Sequence, residues 1–333
     1  MAEFKLRLAD KNISVSSVYE STAEYCQDYL ADFDTPDIII ELSEADIKAE
    51  RNYDDKTRVA EGLLPRSPNY RYLETLALYR KIAEAVVEYD VILFHGSAVA
   101  VDGEVYLFTA KSGVGKSTHT RLWRELFGER AVMVNDDKPL ISITDSGILV
   151  YGTPWNGKHR LSTNVRLPLK AICILERAEE NSIVEVNAHD NFHRILAQTY
   201  RPSSTDGAAM TLGLLDKLLR KVPLYRLGCN MNVEAAEVAY NGMRGHGKMK
   251  LKEGFITHNS GKEQLMISAA GSFGGMVRSN TTAAAIIDLV KNEIDRDGIV
   301  SAMLERYDAP REVLERDVDR VLATLREIGA LDE

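Results

Sequence analysis

A-K-S-G-V-G-K-S, Ala110 to Ser117, sits between an apolar run, EVYLFT (104–109), and a segment of helical character, Ser117–Phe127. Strand, glycine-rich loop and helix in that order form the context in which G-x-x-x-x-G-K-[ST] cradles phosphate. Gly113 and Gly115 admit backbone angles that other residues resist, so successive N–H groups can converge on phosphate oxygens. The helix that follows adds the positive end of its dipole. The candidate phosphate-binding residues are Ser112, Gly113, Val114, Gly115, Lys116, Ser117 and Thr118. Lys116 would act as a point charge on the outer phosphates and Ser117 as a hydroxyl ligand for Mg²⁺. Ala110 stands where the motif has its first glycine, a place a small residue can fill with ordinary backbone angles.

Upstream, VILFHGSAVAV (91–101), the turn pair Asp102–Gly103 and EVYLFTA read as two strands joined by a tight turn, so the strand entering the loop has an antiparallel partner. Downstream, Ala131–Val134 is a short apolar strand ending at Asn135-Asp136-Asp137. Of two adjacent carboxylates at a strand end beside a phosphate loop, one can hold a metal while the other accepts a proton from an attacking hydroxyl. Asp136 and Asp137 are therefore catalytic candidates with Lys116, and Asp137 joins Ser117 as a candidate metal ligand; which aspartate is the base stays open. His95, in FHGSA, lies one strand before the loop, where antiparallel neighbours face each other. Lys158 and Arg160, in GTPWNGKHR, are further cations able to stabilise a transferring phosphoryl group. More strands are expected at Leu140–Ile143, Ile148–Tyr151 and Ala171–Leu175, and helices at His193–Gln198 and Ala208–Leu219.

Farther out, residues 1–90 read as an α+β region packed on this core. Phe4–Leu8 and Ile13–Val18 alternate as half-buried strands do, DIIIEL (37–42) is β-branched, and Tyr70–Tyr89 carries apolar residues at helical spacing. Residues 91–241 form the core, and the glycine-rich, basic stretch that follows reads as a linker at 242–252. Residues 253–333 then suggest a hairpin (Phe255–Thr257, Gln264–Ser268) and three helices, Thr281–Lys291, Gly298–Tyr307 and Arg311–Ile328, the last started by Pro310. Two strands and three helices read as a winged-helix-like α+β domain. A net charge of −9 argues against a nucleic-acid partner. No apolar run reaches membrane-spanning length and none marks a signal peptide. Cys26, Cys173 and Cys229 form no CxxC pair, which fits a reducing, cytoplasmic setting.

With HGSAVAV, AKSGVGKST and NDD in that order, residues 91–180 resemble the HPr kinase/phosphorylase family, which shares its nucleotide-binding core with phosphoenolpyruvate carboxykinases. The resemblance implies an α/β protein with a mixed-sheet P-loop kinase core that transfers phosphate from ATP, with Mg²⁺, to a serine hydroxyl. By position it gives Lys116 and Ser117 the nucleotide and metal roles, one of Asp136 and Asp137 the base role and the other a metal contact, and His95 the phosphate-side histidine. Ala110 departs from the family's glycine, and no counterpart of the family's signature segment follows the core.

Residues 252–333, through GSFGGMVRSNTTAAAIIDLV and IVSAMLERYDAPREVLERDVDRVLATLREIGAL, resemble PqqD-type domains. That resemblance implies capture of a precursor peptide's leader as an added strand on a sheet edge beside a helix. Together the two imply a kinase for a serine on a ribosomally made precursor peptide, with no membrane partner. A kinase for free serine or a carrier protein, with a regulatory C-terminal domain, is an alternative reading. So is a non-catalytic nucleotide-sensing protein, and the sequence leaves open whether the chain forms a homo-oligomer.

Overall fold

Alternating apolar side chains fold the first residues into a hairpin, β1 (Ala2–Leu8) and β2 (Lys11–Ser17), whose turn places Ala9 and Asp10 at positive φ. A computed structural model describes residues 2–60, 64, 67, 69–111, 113–244, 249–260, 263–269 and 273–332. It divides into two compact units, Met1–Tyr240 and Asn241–Glu333.

In the first unit, α1 (Ser21–Tyr25) follows the hairpin and β3 (Ile38–Glu41) adds to it parallel to β2. Next come α2 (Glu44–Ala60) and α3 (Tyr70–Val86), the latter capped by Asn69, whose side chain accepts the Tyr72 N–H at 3.2 Å. The stripe Leu73, Ala77, Leu78, Ile82 and Val86 faces inward. Ala77, Leu78, Ile82 and Val86 pack in one core with Leu6, Ile13 and Ile40 from the small sheet and with Leu140, Tyr151 and Trp155 from farther along the chain.

The rest of this unit is built on one mixed sheet. Its elements are β4 (Val91–Leu93), β5 (Ser97–Val101), β6 (Glu104–Thr109), α4 (Lys116–Phe127), β7 (Ala131–Asn135), β8 (Leu140–Ile143), β9 (Ile148–Tyr151), β10 (Arg166–Arg177), β11 (Ser182–Glu185), α5 (Ala188–Leu196), α6 (Thr205–Lys221), β12 (Leu224–Cys229) and α7 (Glu234–Arg244). The strands run β4-β8-β9-β10-β6-β5-β7, with β12 also on β10 and β11 on β12. β10 begins antiparallel to β9 and then runs parallel to both β6 and β12, with a register shift against β6 between Leu169 and Ala171. Helix α4 packs on it through His119 and Trp123, joined by a 3.0 Å hydrogen bond and tilted against Phe108 and Tyr106.

One expected strand divides. VILFHGSAVAV is not continuous: β4 pairs with β8, β5 pairs with β6, and Phe94–Gly96 break the run. At the break a Cβ on Gly96 would lie 2.9 Å from the Phe108 carbonyl oxygen, so only glycine permits the approach. The hairpin turn at Asp102–Gly103 is as expected, both residues at positive φ.

In the second unit, β13 (Lys250–Leu251) pairs with β17 (Leu331–Asp332), so the two ends of the unit are tied together. β14 (Phe255–Ser260), β15 (Glu263–Ser268) and β16 (Met276–Ser279) form an antiparallel sheet, and α8 (Thr281–Leu289), α9 (Arg296–Arg306) and α10 (Arg311–Glu327) follow. Asn280 and Asp295 cap α8 and α9 through their side chains, and Pro310 stands at the cap of α10. The expected pair of strands is therefore a trio. The stretch expected as a linker, 242–252, is partly regular: residues 242–244 close α7 and Lys250–Leu251 are β13, while 245–248 lie outside the described residues. Met243 and Met249 are buried, which draws these ends into packed structure despite the glycines between them. Among the described residues no helix is long and apolar enough to cross a membrane.

Candidate active site

Strand direction gathers the candidate residues at one sheet edge. β5 is antiparallel to β6 on one side and to β7 on the other, so β6 and β7 point the same way. The end of β6, where the loop begins, and the end of β7, where Asp136 and Asp137 follow, thus meet the start of β5, just after His95. The three motifs meet because of topology, not sequence proximity.

In the loop, Gly113 (φ +80°) and Gly115 (φ +127°) occupy the left-handed region, and a Cβ on Gly113 would meet nothing within 4 Å. Backbone angle rather than crowding is what requires glycine there. Gly115 is the cap of α4 and offers no side chain to its first N–H groups, which leaves them available to an anion. Lys116 Nζ donates to the Ala110 carbonyl at 3.2 Å. Burial lowers its pKa, although Asp137 and Asp136 pull the other way. Ser112 lies outside the described residues.

Asp136 is 5% exposed and accepts the Ser97 hydroxyl at 2.6 Å, and Ser97 is linked at 2.9 Å to Thr120 of α4. Burial raises its carboxyl above the ordinary range; hydrogen bonds from Ser97 and Ser117 oppose this without overcoming it. Asp137 faces His95, with Oδ1 3.3 Å from Nε2. Burial pushes its carboxyl up too, but His95, Lys138 and Lys116 outweigh that and hold it below the ordinary value. The Asp137 hydrogen bond favours protonated His95, yet burial and the ammonium groups of Lys138 and Lys116 prevail and depress its pKa. A neutral imidazole donating Nε2–H to an ionised Asp137 is the state these shifts describe. Ser117 interacts with Asp136 through its side chain, and both line the cavity that Asp137 also lines.

Sequence reasoning missed the residue that aims the pair. Asn135 is fully buried; its Oδ1 accepts the N–H groups of Asp137 at 2.8 Å and Lys138 at 2.7 Å, and its Nδ2 donates at 3.0 Å to the carbonyl and hydroxyl oxygens of Thr153. An asparagine ending a strand is a recognised turn former, and that signal could have marked it.

These groups line one cavity of about 740 Å³. Its walls include His95, Gly113, Gly115, Lys116, Ser117, Thr118, Asp136 and Asp137, and also Lys158 and Arg160. Val114 turns to the other side of the loop and lines a different cavity. The same cavity is lined by Tyr25 from α1, Tyr72 and Tyr79 from α3, and Trp155, together with Lys138 and His159. The aromatic wall was not foreseen: Tyr72 and Tyr79 read as core stripe, and nothing local marks Tyr25. Trp155 Nε1 donates to the Thr75 carbonyl at 2.8 Å and pins the Lys158–Arg160 loop to α3.

Among the described residues no group of three or more His, Cys, Asp or Glu side chains is placed to hold a metal ion by itself. Mg²⁺ commonly takes one or two protein oxygens and completes its shell with substrate phosphates and water. Ser117 and Asp136, whose side chains interact and both line the cavity, fit that donor set.

The first unit is therefore a mixed α/β body in which a glycine-rich loop and an acid pair adjoin. The second is more specific: residues 259–331 match the family model for Coenzyme PQQ synthesis protein D (PqqD). Solved structures similar in part include TbiB1 in complex with the TbiA(beta) leader peptide, 19% identical over 25% of this chain and 94% of that one, with a TM-score of 0.23. A lasso peptide synthetase B1 complexed with the leader peptide is 17% identical over 26% of this chain and 100% of that one, TM-score 0.24. The Hpr(Ser) kinase/phosphatase from Coxiella burnetii is 10% identical over 46% of this chain and 93% of that one, TM-score 0.26. No curated protein matches the chain.

Proposed function

We propose that the chain is an ATP- and Mg²⁺-dependent kinase that phosphorylates a serine hydroxyl on a ribosomally made precursor peptide whose leader is held by residues 253–333. The observation that carries the kinase reading is the single cavity in which the glycine loop, Lys116, the two aspartates and His95 converge. A glycine turn feeding a helix N-terminus is a phosphate cradle, and an acid pair across from it suits transfer to a hydroxyl.

In this reading Lys116, Lys158 and Arg160 neutralise charge on the transferring group, and Ser117 and Asp136 would hold a Mg²⁺ that supplies further positive charge to the phosphates. Asp137, ionised and open to the cavity, accepts the serine proton as the serine oxygen bonds to the terminal phosphorus and the bond to the bridging oxygen breaks, leaving ADP. His95 steadies that carboxylate through Nε2–H. The aromatic wall from α1, α3 and Trp155 limits the water that could compete with serine.

The leader reading rests on the PqqD match and on an available sheet edge. Among the described strands β16 pairs only with β15, so its other edge is open to an incoming strand. Beside it a cavity of about 320 Å³ lies between β16, α8 and α10, with Val277, Ile286, Val321 and Leu325 as apolar lining. The three-stranded sheet and helical trio would serve as a winged-helix-like platform for strand addition. Tethering by the leader raises the local concentration of the acceptor toward the millimolar range, so the cavity need grip the serine only weakly.

The deciding experiment incubates the full chain with ATP, Mg²⁺ and the precursor encoded beside its gene. A mass gain of one phosphate on a serine of the peptide is expected. An unmodified peptide beside chain that binds ATP would end the acceptor assignment.

A further inference from the structure

Within one turn, α3 is tied to two other segments of the chain. Glu74 is fully buried; its Oε1 accepts the Val18 N–H at 2.6 Å, and its Oε2 accepts the Tyr19 N–H at 3.1 Å and the Thr22 hydroxyl. A buried carboxyl group must find donors, and these come from the approach to α1 and from α1 itself. The next residue, Thr75, offers its carbonyl to Trp155 Nε1 at 2.8 Å. Consecutive residues of α3 thus hold α1 and the loop that begins at Trp155.

These ties assemble the part of the active-site cavity that neither the glycine loop nor the acid pair supplies. Tyr25, Tyr72, Leu76, Tyr79 and Trp155 line it. Tyr72 is 43% exposed, and Tyr25, Leu76 and Tyr79 are half-buried, so part of each stays uncovered. Apolar surface gathered in a cavity marks a place where something binds. Arg160, at positive φ (+51°), lies over the Tyr25 ring at 5.5 Å and joins the loop to α1. The wall also adjoins the proton acceptor of the proposed reaction. The N–H of Lys138, the residue after Asp137, donates to the Trp155 carbonyl at 3.1 Å, and a Cβ on Gly157 would lie 3.3 Å from the Asp137 Cβ. Tyr25 and Tyr79 lie near enough to Asp137 for its charge to be felt at their hydroxyls. A serine that gives its proton to Asp137 therefore brings its neighbouring residue against this wall.

We propose that the wall is a subsite for a large apolar side chain next to the acceptor serine, and that Glu74 is the positioning residue that keeps it assembled. The proposal deepens the peptide-kinase reading and rests on it. In that reading Lys158 and Arg160 serve the transferring group, which leaves ring faces and Leu76 as the surface offered to a neighbouring residue. Such surface favours aromatic and branched aliphatic side chains through buried area and ring contacts.

The test uses the full chain, saturating ATP with Mg²⁺, and versions of the core peptide whose residues flanking the phosphorylated serine are Phe, Leu, Ala, Asp or Lys. Phe or Leu is expected to raise kcat/KM over Ala by at least about tenfold, through KM, as burial of one large apolar side chain does. Asp and Lys are expected to do no better than Ala. Equal values for Phe and Ala, or a preference for Asp or Lys, would overturn the subsite, while transfer itself would leave the kinase reading standing. Glu74→Gln keeps the size and turns one acceptor oxygen into a donor. It is expected to bring the Phe-to-Ala ratio to within about twofold of one, with calorimetric ATP affinity unchanged. A Glu74→Gln chain that melts lower yet keeps the ratio would overturn the positioning role. Should that chain fail to fold, Tyr72→Ala, at an exposed position, reads the wall directly: the same ratio is expected to level, and a ratio kept at the wild-type value overturns the subsite. A wild-type chain that transfers phosphate to none of these peptides ends the peptide-kinase reading and this proposal with it.

Discussion

Asp136 and Asp137 are adjacent in sequence and opposite in electrostatic character. Asp136, with its pKa raised first by burial, favours the fold at low pH and loses that contribution as pH climbs through the raised value. Asparagine keeps the Ser97 acceptor and cannot ionise, so Asp136→Asn should melt higher than the wild type at neutral pH. Asp137 behaves in reverse. Burial is outweighed by His95, Lys138 and Lys116, so its carboxylate stabilises the fold above the ordinary carboxylate range and ceases to as acid protonates it. Asp137→Asn should melt lower than the wild type at neutral pH, with the gap closing in acid. Thermal melts across pH check both signs; shifts in the same direction would show that the two environments are misassigned. Each change should cut turnover by at least about 100-fold, the range for a positioned base or charge partner. Lys116→Ala should do the same, measured as phosphate transferred per minute at saturating ATP. Asn135→Ala removes the acceptor that two N–H groups share and should cost about 1–3 kcal/mol in stability, read from denaturant titration.

The elements that proved legible are those with a local pattern. The glycine loop, the strand that ends in Asn135-Asp136-Asp137 and the stripe of α3 are all written in neighbouring residues, and the structure places them close to where that pattern puts them. Elements without such a pattern escaped. α2 is charge-rich and buries only Ile47 and Glu50 among its described side chains, so no stripe announces it. β16 spans four residues of which one is buried, too short to alternate visibly. The aromatic wall depends on contacts such as Trp155 to Thr75, 80 positions apart, which no window of sequence contains. The leader groove allows a test at this scale. Ala283, on the first turn of α8, lines the cavity beside β16. Ala283→Trp should raise KM for the full precursor by about tenfold, losing the tether, and leave KM for a leaderless core peptide unchanged. Equal loss on both peptides would point to damage in the fold of the second unit.

On the proposed function, catalysis and peptide capture fall to separate compact units, Met1–Tyr240 and Asn241–Glu333. A chain ending at Arg244 keeps every residue of the site, so it should retain tripolyphosphate binding and slow transfer to a leaderless peptide while losing its preference for full precursor. Steady-state kinetics on the two peptides check this, and a truncated chain that still prefers full precursor would place leader capture elsewhere.

The aromatic wall, Tyr25, Tyr72 and Tyr79, comes from segments that precede the sheet carrying the phosphate loop and the aspartates. On the proposed kinase reading, the groups that handle phosphate and the wall that faces the acceptor thus come from different stretches of the sequence. Exchange of the early stretch between relatives could retune which residue is accepted while the chemistry stays constant. If the kinase reading holds, a fragment trimmed to the loop-bearing sheet lacks that wall and should lose ATP to water faster than the whole first unit does.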